Sequence, residues 1–194
     1  MAVTLLTEDQ PWAEVTIPGS DRPVRLRRLH VDPPTKANLC VVCFPPGWRR
    51  PQTGYYDCAE EFTVLQGNLT VSGVTHRAGD HAYLPPRAVR VDSATDDGCL
   101  TLAYFSAPPR WTGGQPATPA DHQPRHGRPD GVLRRPRPGV QGGCEVLTEV
   151  PAGPATDECD VLSLPTADWA WVPAGEPFPD LEPPLLVRTW TKEA

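Results

Sequence analysis

Proline is the feature that most constrains the fold of this chain, because it accounts for 26 of the 194 residues. The usual share of proline in a protein is about 5%. A proline has no backbone N–H, and its ring clashes with the preceding helical turn, so it breaks helix interiors. Prolines recur along the whole chain, and the sequence therefore argues against a helix-rich fold.

Short strand-like runs follow one another through the first 107 residues, separated by Gly and Pro turns. Two of them, 61–65 and 69–71, flank Gln66-Gly67-Asn68, which predicts a compact hairpin. Several short strands at such spacing indicate an antiparallel sandwich or barrel. The other predicted strands are 24–31, 37–44, 81–84, 89–92 and 99–105.

Two motifs between Pro45 and Asp92 carry a resemblance to a known family. Residues 60–67 read Glu-Glu-Phe-Thr-Val-Leu-Gln-Gly, of the form E-x6-G, and residues 79–85 read Gly-Asp-His-Ala-Tyr-Leu-Pro, of the form G-x5-P. In this order and at this spacing they resemble the two conserved motifs of the cupins. The resemblance implies a cupin-type antiparallel β-barrel, jelly-roll-like in its topology.

The same resemblance implies where a cupin would hold its metal, and the histidines are missing there. Counting from the motifs places Gly54, Tyr56 and Arg90 at the three histidine positions, and a shift by one residue gives Thr53 and Tyr55. Three imidazoles and a carboxylate would bind iron, manganese, nickel or zinc. A guanidinium is always charged and has no lone pair to offer. We therefore expect no metal and no other cofactor.

These positions converge inside a cupin barrel, so the resemblance brings Tyr56, Glu60 and Arg90 together as candidate catalytic residues. A buried carboxylate without a cation is costly, which predicts a Glu60–Arg90 ion pair in place of the metal. In a functional interpretation Tyr56 donates or relays a proton, and Glu60 acts as a base. Arg90 then holds an enolate, carboxylate or carbonyl oxygen. In the alternative, the ion pair only fills an inactive barrel.

Four further residues are candidates for ligand binding. Trp48 and Tyr55 lie near the expected mouth of the barrel, where an aromatic ring stacks on a ligand or packs against a neighbouring segment. His81 lies on a predicted barrel strand. Asp92 shares the strand parity of Arg90, so it is expected on the same face.

Composition divides the chain into three segments. Residues 1–107 carry the predicted barrel with N-terminal strands, and residues 108–143 form a Pro/Gly/Arg-rich arm or linker with little apolar surface. Residues 144–194 contain strand-like runs that we expect to complete the barrel or a dimer interface. A short echo between the surroundings of Trp12 and Trp169 leaves a truncated second cupin as an alternative.

Charge and cysteine usage limit the partners of the protein. The formal net charge of −6 argues against nucleic acid, because phosphate contacts need clustered cations. No run approaches the roughly 18 apolar residues of a membrane span, and no secretory signal is evident. Cys40 and Cys43 form a C-x-x-C, but their odd spacing in a strand places them on opposite faces, as expected of core thiols. We expect a cytoplasmic homodimer that binds a small molecule.

Three functions are compatible with these features. Metal-independent cupins are known for epimerisation, isomerisation and cyclisation, so the resemblance implies an isomerase, cyclase or lyase acting on a small organic metabolite in biosynthesis. The second is a non-catalytic ligand-binding or sensor cupin. The third is a metal-dependent dioxygenase with atypical ligands, for which Glu60, His81 and Cys58 are the candidate set.

Overall fold

The computed structural model describes residues 2–7 and 11–190, in which every regular element is a β-strand. This agrees with the all-β prediction. The described residues contain no helix long and apolar enough to cross a membrane. In chain order the strands are β1 (Val3–Thr4), β2 (Ala13–Val15), β3 (Val24–Val31), β4 (Asn38–Phe44), β5 (Arg49–Arg50), β6 (Gly54–Tyr56), β7 (Glu60–Val71), β8 (Val74–Arg77) and β9 (His81–Leu84). They continue with β10 (Ser93–Ala94), β11 (Cys99–Phe105), β12 (Trp111–Gly113), β13 (Arg125–Gly127), β14 (Val132–Arg134), β15 (Cys144–Leu147), β16 (Cys159–Ser163), β17 (Asp168–Val172) and β18 (Leu185–Thr189).

Residues 11–128 form one compact unit, here called the barrel unit. Its main path of antiparallel strands runs β13-β9-β7-β11-β4-β3-β2. The first half of β7 pairs with β9 and β11, and its second half pairs with β8 and β10. Alternate residues of these strands point into a shared apolar core, as the period-2 pattern of a half-buried strand requires.

The predicted hairpin at Gln66-Gly67-Asn68 is wrong, because strand β7 runs unbroken through these residues. Its register with β11 shifts between Leu100 and Thr101, which is a β-bulge with one extra residue on β7. Gly67 has a φ of +75°, and a Cβ there would collide with the carbonyl oxygen of Gly98. The glycine therefore permits a close backbone approach within a strand rather than a turn.

The C-x-x-C cysteines lie in β4 on opposite faces, as predicted. Cys40 is buried in the barrel core, whereas Cys43 is only half-buried and contacts the guanidinium of Arg25. Burial raises the pKa of the Cys40 thiol to about 12. Both cysteines are free, and Cys40 behaves as a small apolar core residue.

The Pro/Gly/Arg-rich segment 108–143 is divided between two units at residue 128. Its first part is held on the barrel unit by two short antiparallel ladders, β12 on β6 and β13 on β9. Trp111 of β12 packs against the barrel core, so one large aromatic residue supplies apolar surface that the segment otherwise lacks.

The second unit contains residues 2–7 and 129–190. Its antiparallel sheet has the order β1-β17-β16-β18-β15-β14 and a core of its own. The C-terminal strands therefore form a separate sheet and do not complete the barrel, as one of our alternatives expected. A role for them in a dimer interface stays a prediction. Strand β1 pairs with β17 in this sheet and does not join the barrel strands.

Candidate active site

A cavity lies inside the barrel unit, between its apolar strands. Its volume is about 50 Å³, above the ~10–15 Å³ that a cavity needs to hold one water molecule. The polar and charged side chains on its wall include Arg50, Tyr56, Glu60 and Arg90. The apolar part of the wall includes Val42, Phe44, Phe62, Leu69, Leu84 and Phe105.

The predicted Glu60–Arg90 ion pair is present in this cavity. The Nε and Nη2 atoms of Arg90 donate to Oε2 of Glu60 at 3.0 and 2.7 Å. The remaining terminal nitrogen, Nη1, donates to the carbonyl oxygen of Ala88 at 2.8 Å. The Arg90 side chain is only 1% exposed and Glu60 is 16% exposed, so this is a largely buried, charge-assisted pair.

The backbone holds Arg90 in place through Gly54. The two residues exchange both of their backbone hydrogen bonds, at 2.8 and 3.1 Å. Residues 54 and 90 are therefore adjacent, as the spacing of the two cupin motifs implies.

Tyr56 packs its ring between aromatic and cationic neighbours. It makes edge contacts with Phe105 and Trp111, at ring-centroid distances of 5.9 and 5.3 Å. The guanidinium carbon of Arg90 lies 4.7 Å from its ring centre. Burial is the main cause that raises the pKa of the Tyr56 phenol above its usual value, so the hydroxyl stays protonated at neutral pH.

Arg50 is a site residue that the sequence analysis missed. Its side chain is buried, and its Nη1 and Nη2 atoms donate to the Tyr56 hydroxyl at 3.1 Å and to Ser93 Oγ at 3.2 Å. Its guanidinium carbon lies 4.2 Å from the ring centre of Trp111, in a cation–π contact. No carboxylate pairs with it among the described residues. The sequence offered one indication of this position. Arg50 is two residues after Trp48, so in an extended chain both side chains point to the same face.

Trp111 occupies the place where the family's first histidine would stand. A Cβ at Gly54 would collide with the Trp111 ring and lie 2.5 Å from the carbonyl oxygen of Thr112. The indole N–H of Trp111 donates to the side chain of Gln52 at 3.1 Å, which fixes the ring over Gly54. Glycine at position 54 is thus a consequence of the segment that packs on β6.

The residues at this site do not fit the metal that the cupin fold implies. Among the residues that the structure describes, those that line the cavity include one carboxylate and neither histidine nor cysteine. Arg90 already occupies one oxygen of that carboxylate, and Arg50 adds a second cation that would repel a metal ion. We derive no chemistry through a metal here.

The alternative metal set of Glu60, His81 and Cys58 is not assembled. His81 contacts the Thr63 hydroxyl through Nδ1 at 3.0 Å. Thr63 points to the face of β7 opposite to Glu60, because the two are an odd number of residues apart. His81 therefore lies outside the cavity, and neither of its two predicted roles there, as a metal ligand or as a ligand-binding residue, agrees with the structure.

Of the other three predicted ligand-binding residues, one lines the cavity and two do not. Trp48 lines the cavity and is 1% exposed. Tyr55 is half-buried on the opposite face of β6 from Tyr56 and does not line the cavity. Asp92 is exposed, and its left-handed φ of +45° breaks the strand alternation that predicted a position beside Arg90.

Comparison with known proteins identifies the fold. No protein-family model and no curated protein matches the sequence. A candidate dioxygenase from Nostoc punctiforme matches in structure with a TM-score of 0.61 at 10% identity, over 86% of this chain and 73% of that chain. A variant of salicylate 1,2-dioxygenase from Pseudoaminobacter salicylatoxidans gives a TM-score of 0.50 at 13% identity, over 86% and 74%.

A protein with a cupin-like fold from Ralstonia eutropha gives a TM-score of 0.40 at 13% identity, over 53% of this chain and 65% of that chain. At such identities the similarity concerns the fold, and one fold hosts many chemistries. The chain has the cupin-type β-fold that its two motifs predicted.

Proposed function

We propose that this chain, which has the cupin fold, is a metal-independent enzyme that moves protons on a small organic molecule, in an isomerase, cyclase or lyase type of reaction. One observation carries the proposal. Arg50 donates to the Tyr56 oxygen, and a guanidinium has no acceptor to offer in return. The Tyr56 proton must therefore point elsewhere, and no described residue accepts it. The phenol is left as a donor for a ligand.

Glu60 supplies the complementary base. Both Arg90 donors meet the same carboxylate oxygen, Oε2, and no described residue donates to the other oxygen, Oε1. A carboxylate with one unoccupied oxygen on a cavity wall is suited to accept a proton from a bound molecule. Arg90 then orients Glu60, since its own N–H groups already donate to Glu60 and to Ala88.

The reaction that fits these groups is proton transfer next to a carbonyl. Oε1 of Glu60 takes the proton from a carbon beside the carbonyl. The electron pair of that C–H bond forms a C=C bond, and the π pair of the C=O bond moves onto the oxygen. The Tyr56 hydroxyl donates to the enolate oxygen that forms. Return of the proton from Glu60 to the same carbon or to a different one regenerates the substrate or releases an isomer, without an oxidant or reductant.

Proton exchange in deuterated buffer tests this step with simple carbonyl compounds in place of the natural substrate. Acetone, pyruvate and 2-oxobutyrate are each incubated with the protein in D2O, and loss of the signal of the carbon-bound proton is followed by proton NMR. We expect exchange above the buffer rate, reduced about 10²- to 10⁴-fold in Glu60→Gln and in Tyr56→Phe.

The neighbouring residues provide matched controls for this assay. Tyr55→Phe removes a hydroxyl on the opposite face of the same strand, and Asp92→Asn removes an exposed carboxylate, so both are expected to exchange at the wild-type rate. Exchange no faster than buffer with every compound, or full activity in Glu60→Gln, would refute the proposed acid–base roles.

A ligand-binding or sensor cupin is the second candidate function. The observation that favours it is that Glu60 and Arg90 already satisfy each other, as a purely structural ion pair would. Saturable binding of a compound with no exchange and no turnover would support this function over the enzyme.

A further inference from the structure

The polar groups on the cavity wall are mainly donors. Two buried N–H groups have no acceptor among the described residues, namely Nε of Arg50 and Nε1 of Trp48. The Tyr56 hydroxyl adds a third donor, since its oxygen accepts from Arg50. A buried donor without an acceptor costs about 1–3 kcal/mol. These groups would be satisfied by a ligand rich in acceptor atoms.

The charge of the wall points in the same direction. The cavity wall, as far as the structure describes it, contains two cations, Arg50 and Arg90, and one anion, Glu60. One positive charge is therefore in excess. Arg90 is neutralised by Glu60, so the excess charge resides on Arg50. Arg50 is 94% buried, since only 6% of its surface is exposed, and its aromatic contact with Trp111 offsets only part of the cost of burying a charge.

We propose that the cavity binds a small monocarboxylate and that Arg50 is the residue that holds its carboxylate group. Of its five N–H donors, one is used on Tyr56 and one on Ser93, which leaves three for a ligand. A planar guanidinium matches the two oxygens of a carboxylate. A monoanion balances the single excess charge, and a cavity of about 50 Å³ favours a small ligand.

This inference deepens the proposed function, because it gives the substrate class for the same cavity. A carboxylate on Arg50 would place the rest of the ligand beside Tyr56, the direct hydrogen-bond partner of Arg50. Small oxo acids combine such an anchor with a carbonyl group. Binding and proton exchange are nevertheless separate measurements, so the two proposals can fail independently.

Binding to the wild-type protein provides the first test. Acetate, propionate and pyruvate are compared with the neutral molecules acetamide and acetone by isothermal titration calorimetry and by thermal shift, with chloride and phosphate as control anions. We expect the carboxylates to bind and to raise Tm with concentration. The neutral molecules should bind about 10- to 100-fold more weakly, because they lack the charge-assisted hydrogen bonds.

Substitution of Arg50 provides the second test. Arg50→Lys keeps the charge and loses the planar donor set, whereas Arg50→Gln loses both, and each should weaken carboxylate binding by about 10- to 100-fold. Arg49→Gln is the matched control, because Arg49 is exposed and pairs with Asp96 at the surface. This variant should bind carboxylates with wild-type affinity.

The outcomes separate the two proposals. Equal affinity for acetate and acetamide, no carboxylate binding at all, or unchanged binding in Arg50→Gln overturns the inference. Carboxylate binding that depends on Arg50, together with no proton exchange, supports the inference and counts against the enzyme. Exchange of acetone as fast as that of pyruvate, without carboxylate binding, supports the enzyme and overturns the inference.

Discussion

Two arginines line the same cavity and differ in what surrounds them. Arg90 meets a carboxylate and a backbone carbonyl, so its charge is balanced within the protein. Arg50 meets a phenol, a serine hydroxyl and an indole ring, none of which carries a negative charge. The sequence motif identified Arg90 because cupins place a metal ligand there. Arg50 lies outside the motif and was found only in the structure.

Asp160, in the second unit, is a buried carboxyl whose raised pKa makes the stability of the protein depend on pH. It is buried, accepts a hydrogen bond from the Trp169 indole at 3.0 Å, and also accepts one from the Trp190 indole. Burial raises the pKa of its carboxyl to about 7, although Arg188 and the two indole donors act in the opposite direction. The usual pKa of an aspartate is about 3.9.

This shift predicts that stability falls as pH rises from about 4 to about 7. In that window the folded state keeps a proton that the unfolded state has released, so the free energy of unfolding decreases by up to about 1.4 kcal/mol per pH unit and then levels off. Denaturant unfolding followed by tryptophan fluorescence measures it. Asp160→Asn should flatten this part of the profile, whereas Glu176→Gln, at an exposed carboxylate, should not. An unchanged slope in Asp160→Asn contradicts the assignment.

At the scale of elements, a short strand that pairs with the barrel shapes the cavity. Strand β12 pairs with β6, and its Trp111 ring contacts both Tyr56 and Arg50. The composition of segment 108–143 predicted an arm or linker. Backbone hydrogen bonds and one partly buried aromatic ring are sufficient to fix part of it, and overall hydrophobicity reveals neither.

The close contact between Gly54 and Trp111 gives a prediction about this ladder. Gly54→Ala should destabilise the protein by about 1–3 kcal/mol, because the new methyl group collides with the indole ring. Gly113→Ala is the control on the facing strand, where the methyl group would meet only the flexible side chain of Gln52.

A double-mutant cycle measured by denaturant unfolding identifies the cause. In a Trp111→Ala background the cost of Gly54→Ala should be smaller, because the ring has been removed. An equal cost in both backgrounds would assign the effect to the backbone, whose nearest atom is the Thr112 carbonyl oxygen.

At the scale of the whole molecule, the chain combines a cupin-type barrel unit with a second sheet that has its own core. Two of the structural neighbours are described as dioxygenases, but the similarity extends to the fold alone. The residues at the family's metal positions are Gly54, Tyr56, Glu60 and Arg90, and the proposed function therefore uses no metal.

The metal content of the purified protein is the corresponding prediction. Because the cavity wall, as far as the structure describes it, offers a single carboxylate and two cations, we expect elemental analysis to find no iron, manganese, nickel or zinc whose binding depends on Glu60. Stoichiometric metal that disappears in Glu60→Ala would contradict this expectation and favour a dioxygenase with atypical ligands.

The sequence by itself determined the fold class and part of the site. Proline and glycine act on the backbone locally, and a short apolar run bounded by turn residues predicts a buried strand directly, as in β4 and β11. The Glu60–Arg90 pair was predictable because motif spacing in a barrel fixes which positions face each other.

Only the tertiary structure decided the features that depend on approaches between distant segments. Gly67, next to the β7 bulge, is a glycine because it meets Gly98, and Gly54 is a glycine because Trp111 lies over it. The left-handed backbone of Asp92 ends the alternation of the predicted strand, and the side chain of Arg50 lines the cavity although its strand has only two residues. Such contacts join residues far apart in the chain, so no local pattern records them.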